Sequence, residues 1–152
     1  AGDYIVVGGV GGDPGTGGHG QKGQAFILRM SEGGGVQWVK RYGINNTPQD
    51  TFWGVIQADD GGFVLAGEKL QDRNFEFYDH FWIVKTDGNG DMEWSHELGG
   101  NLWDEALDIV KLSDDSYILA GKKSLSSSNL DMWVLRISSS GSVLWQGNHG
   151  NN

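Results

Sequence analysis

Four short segments recur in a set order along this 152-residue chain, and no other feature restricts its possible folds as tightly. Tyr4-Ile5-Val6-Val7-Gly8 returns as Phe63-Val64-Leu65-Ala66-Gly67 and again as Tyr117-Ile118-Leu119-Ala120-Gly121. Phe26-Ile27-Leu28-Arg29 returns as Trp82-Ile83-Val84-Lys85 and as Trp133-Val134-Leu135-Arg136. A tryptophan then follows each of these at the same spacing: Trp38, Trp94 and Trp145. The fourth segment occurs twice, opening at Asp50 and at Asp104. Each segment is short, β-branched or aromatic, and bounded by Gly, Asp, Asn or Ser, which is how a strand reads.

Four strands in each unit of about 50 residues is the pattern of a β-propeller blade. The expected fold is therefore all-β: a β-propeller arc of about three four-stranded blades, forming one domain over residues 1–152. The blade units fall near 1–49, 50–102 and 103–152, and the first lacks its innermost strand. Propellers close with roughly four to eight blades. An arc of three is thus expected to be completed by a homo-oligomer or by the rest of a longer chain.

Composition agrees and narrows the partners. The 26 glycines disfavour helices, because each one inside a helix costs about 1 kcal/mol relative to alanine. A net charge of −9 repels phosphate backbones and anionic lipid, so nucleic acid is not an expected partner. No apolar run approaches the roughly 18 residues that cross a bilayer, so membrane insertion is not expected either. With no cysteine, disulfides and thiolate chemistry are excluded.

Loop lengths locate the variable face. The connections from the second to the third strand of a unit (roughly 9–24, 68–79 and 122–130) and from one unit to the next (roughly 43–49 and 99–103) differ in length. The other hairpins keep constant spacing. In a meander these two sets of loops lie at opposite ends, and function favours the variable set.

On that face the sequence offers Trp103 beside Asn101, and Arg73 with Phe75, Phe77 and Tyr78. Aromatic groups among polar neighbours suit contact with a protein or a sugar. His19 stands in the glycine-rich first loop. Asp50 and Asp104 open the innermost strands, where they either ring a channel mouth or fix the loop by accepting backbone N–H groups. Asp87, Asn89 and Asp91 have alternating oxygen ligands suggestive of calcium. A hairpin turn, however, explains the same residues, and the matching turns at Ser31 and Ser138 lack carboxylates. The recurring tryptophans are expected to pack between units, and Trp53, aligned with Leu107, to be core.

The stretches Asp60-Gly61-Gly62-Phe63, His80-Phe81-Trp82-Ile83-Val84-Lys85-Thr86-Asp87 and Gly90 with Trp94 resemble a known repeat. It is the tandem "DGGY-x-x-AG … D-F-W-V-x-K-x-D … G-x-x-x-W" repeat of large secreted or cell-surface bacterial and archaeal proteins. The resemblance covers essentially the whole chain and implies an extracellular or cell-surface propeller, without implying an activity. The expected function is a non-catalytic interaction or scaffold module binding a protein or glycan through its variable loops. Two alternatives stand beside it. One is a propeller enzyme, because Asp87, Gly90 and Trp94 resemble, with one residue's difference in spacing, repeats of quinoproteins and the Asp-box of sialidases. The other is a purely structural self-assembling repeat.

Overall fold

The computed structural model describes residues 2–11, 23–43, 50–73 and 76–150. Among them are eleven strands: β1 (Tyr4–Gly11), β2 (Gly23–Met30), β3 (Val36–Tyr42), β4 (Thr51–Gln57), β5 (Phe63–Arg73), β6 (Glu76–Thr86), β7 (Met92–Leu98), β8 (Asp104–Lys111), β9 (Tyr117–Ser126), β10 (Asn129–Ile137) and β11 (Val143–His149). They form three antiparallel meander sheets, β1-β2-β3, β4-β5-β6-β7 and β8-β9-β10-β11, none closed on itself.

Constant spacing in the sequence becomes constant turn geometry. In the β2–β3, β6–β7 and β10–β11 hairpins, Ser31, Asp87 and Ser138 each donate their N–H to the carbonyl four residues on, at 2.8–2.9 Å. Gly34, Gly90 and Gly141 occupy the left-handed region in these turns, at φ 83°, 79° and 84°. A type I turn followed by a left-handed residue is the preferred three-residue hairpin loop, and it calls for glycine at that place. The β4–β5 turn uses Gly61 in the same role (φ 84°), and the β8–β9 turn uses Asp115 (φ 61°), a residue type that tolerates this region better than most.

The sheets stack in chain order through two cores. One joins the first and second sheets through residues such as Ala25, Ile27, Tyr42, Phe52, Leu65 and Trp82. The other joins the second and third through Ala66, Phe81, Ile83, Leu119, Trp133 and Leu135. Inside the first, Phe52 stacks on Trp82 at 4.7 Å between ring centroids, and Tyr42 meets Phe52 edge-on at 5.7 Å. Alternate residues of β5 and β6 serve alternate cores, so the middle sheet is apolar on both faces and its strands read as continuous hydrophobic runs.

Three expectations need correction. Trp53 is 54% exposed and Leu107 is 40% exposed, so neither is core. The ladder jumps from Phe52 to Gly54 and from Ala106 to Asp108, leaving Trp53 and Leu107 as the extra residues of two matching β-bulges. Trp145 is also exposed, unlike the half-buried Trp38 and Trp94, because none of the three described sheets covers it. Finally, much of what reads as variable loop is strand. β5 and β6 stay in register out to Arg73↔Glu76, and β9 and β10 pair out to Asn129↔Ser126 across a bulge between Asn129 and Leu130. These arms carry polar residues such as Gln71, Asp72, Lys122 and Lys123, so little in the sequence marks them as strand.

Candidate functional site

Where the arms of the second and third sheets meet, they enclose a groove of about 280 Å³ lined by Tyr78, Leu102, Trp103, Ser124, Ser126, Ser127 and Leu130. It lies at the variable end of the strands. Tyr78 comes from β6, Leu102 and Trp103 from the connection before β8, and the serines and Leu130 from the β9–β10 hairpin. Ser124 anchors the connection: its hydroxyl donates to the Trp103 carbonyl at 2.7 Å and its N–H donates to Asp104 Oδ1 at 3.0 Å. The Trp103 ring is therefore held by its backbone while half its surface stays exposed. Indole and phenol faces beside hydroxyls offer both stacking surface and hydrogen-bonding partners to a polar ligand.

Of the residues singled out from the sequence, the structure brings Tyr78 and Trp103 to this one groove. Asn101 is exposed on the same connection but is not part of the wall. Arg73 and Phe77 stand at the arm of β5 and β6, with their side chains outside the described residues, and His19 and Phe75 lie wholly outside them. Leu102, Leu130 and the three serines escaped the sequence reading. The serine-rich run from Ser124 to Ser128 was their only mark.

Asp50 and Asp104 are fully buried, each turned into backbone. Asp50 Oδ1 accepts the Leu70 N–H at 3.0 Å, and Asp104 Oδ1 accepts the repeat-equivalent Ser124 N–H at the same distance. Asp104 Oδ2 accepts the Gly100 N–H at 2.7 Å. Asp50 Oδ2 lies against Gly43 with no hydrogen-bond partner among the described residues, and burial raises this carboxyl to about 6. Both aspartates thus clamp the chain's entry into β4 and β8, and neither is exposed.

The Asp87–Asp91 segment is likewise committed to its hairpin. Asp87 Oδ1 accepts the N–H groups of Asn89 and Asp91, both at 2.8 Å, and Asp91 Oδ1 pairs with Lys40 at 2.7 Å. These contacts, led by the Asp91 N–H, hold the Asp87 carboxyl below its ordinary range.

A group that the sequence did not disclose is the cluster of Glu68, Asp79 and Glu105, whose carboxylate oxygens lie within 4.8 Å of one another between the second and third sheets. It converges from β5, β6 and β8, so no local motif reports it. Three carboxylates at this separation are a donor set that a hard divalent cation accepts. In the structure Lys122 pairs with Glu105 at 2.9 Å, and burial followed by the charges of Asp79 and Glu105 raises the Glu68 carboxyl to about 8. Unfolded, Glu68 returns to its ordinary 4.5. The folded chain therefore keeps a proton that the unfolded chain releases, and stability falls as pH rises from about 4.5 to about 8. Glu68→Gln is expected to leave urea stability unchanged near pH 4 and to raise it by about 1–2 kcal/mol near pH 8, after discounting for partial solvent screening. An equal gain at both pH values would refute the linkage.

No protein-family model matches the chain, and none of the curated proteins matches it.

Proposed function

We propose that this chain is a non-catalytic binding module of propeller type, belonging to an extracellular or cell-surface protein, which holds a glycan or protein segment in the Tyr78–Trp103 groove. The groove itself carries this reading: Tyr78 of β6, Trp103 of the connection before β8 and three serines converge at the end of the strands where loop length varies. The stacking of three meander sheets in chain order supports the blade arrangement, and the likeness to secreted tandem repeats supports the location. The net charge of −9 and the nearby carboxylates favour neutral or cationic ligands over anionic ones.

A glycan array followed by tryptophan-fluorescence titration tests the proposal. A neutral oligosaccharide or peptide ligand is expected to perturb the Trp103 emission, and Trp103→Ala to weaken binding by roughly tenfold or more, about 1.4 kcal/mol. Binding unaffected by both Trp103→Ala and Tyr78→Ala would place the ligand elsewhere and remove the proposal.

A further inference from the structure

The two internal sheet-to-sheet interfaces are copies of each other, and the chain leaves one half of the same interface open at each end. Trp38 of the first sheet lies over Gly90 in the turn of the second, and Trp94 of the second lies over Gly141 in the turn of the third. Both glycines are buried by this contact, whereas their counterpart Gly34 is exposed, with no non-adjacent residue within 4 Å of where a Cβ would stand. The same split runs along the strands. Phe63 and Tyr117 are 3% and 2% exposed, but the repeat-equivalent Tyr4 is 56% exposed. Phe81 is fully buried against the third sheet, but its equivalent Met132 is 56% exposed, and Trp145, paired with Arg136 further along β10, is 46% exposed.

We propose that these two faces bind each other between copies of this chain, head to tail: Trp145 of one copy seats over Gly34 and Tyr4 of the next, as Trp38 seats over Gly90 and Phe63, and Met132 seats over Gly8 and Phe26, as Phe81 seats over Gly121 and Trp133. Continuity with the internal interfaces identifies the occupant. Residue for residue, the surface that the third sheet needs is of the kind the second and third sheets each present to the sheet before them, and the first sheet alone presents it uncovered. A head-to-tail contact uses two different patches, so it either closes into a ring or propagates into a filament. A ring of two copies would hold six sheets, within the roughly four to eight at which propellers close. The groove at the variable end takes no part in this contact, so the inference stands independently of the proposed ligand.

The test is light scattering on the wild-type chain, on Trp145→Glu, on Tyr4→Glu and on an equimolar mixture of the two variants, with near-UV circular dichroism confirming the fold of each. Both substituted side chains are exposed within a single copy, so the monomer fold should survive; Met132→Asp replaces Trp145→Glu if that variant does not fold. The wild type is expected at twice the 16.5 kDa chain mass and each variant at the chain mass. The mixture should recover a one-to-one complex through the single interface in which both patches are intact. A wild type that stays monomeric up to millimolar concentration would overturn the proposal. So would a dimer lost in only one of the variants, which marks a face pairing with itself, or a mixture that stays monomeric.

Discussion

Alanine at Gly121 or Gly67 is expected to destabilise the chain by about 3 kcal/mol, while alanine at the repeat-equivalent Gly8 costs less than about 1 kcal/mol. A Cβ at Gly121 would overlap the Glu105 carbonyl oxygen and come within 2.9 Å of Phe81. At Gly67 it would overlap the Thr51 carbonyl oxygen and lie 2.7 Å from the Phe52 Cα. The obstacle in both cases is the backbone of the preceding strand of the same sheet, β8 or β4, beside its bulge, and backbone held in a ladder does not yield. Gly8 has no such strand beside it in the first sheet. Its nearest obstacle is the ring of Phe26 at 2.9 Å, which can turn aside. Urea midpoints at constant m-value measure the difference. Equal losses at all three glycines would refute the account.

Asp104→Ala is expected to cost about 2–4 kcal/mol, since it removes two charge-assisted hydrogen bonds and leaves the N–H groups of Ser124 and Gly100 without their acceptor. Because the same clamp positions Trp103 through Ser124, this variant should also broaden the near-UV tryptophan signal before global unfolding. Asp50→Ala is expected to cost less near neutral pH. Only one of its oxygens has a partner among the described residues, and burial already opposes its ionisation. A thermal or urea series in which Asp50→Ala proves more damaging than Asp104→Ala would contradict the assigned roles.

Much of the hydrogen-bonded framework was legible in the chain because its determinants are local. Alternation and β-branching mark strands, and Asp, Ser and Gly at set offsets mark the hairpins, so the eleven strands and their grouping into three, four and four could be counted beforehand. The misreadings arose where locality fails. Trp53 looked like core because it sits in an apolar strand, but a bulge turned it outward. Trp145 looked equivalent to Trp94, but equivalence in sequence does not supply a neighbouring sheet. The Tyr78 and Trp103 pair was half legible: each was visible as an aromatic out of pattern, but not their meeting in one groove.

By itself, then, the sequence determined the number, order and type of the strands, the sites of the left-handed turns and the identity of the repeated faces. These depend on backbone conformation and side-chain periodicity within a few residues. Tertiary structure decided which copies of a repeated position are buried, which carboxylates converge as Glu68, Asp79 and Glu105 do, and which aromatic side chains share a wall. The physical reason is that burial and charge coupling belong to what lies across space from a residue. A repeat specifies the same surface each time it occurs, but only packing determines whether another surface covers it.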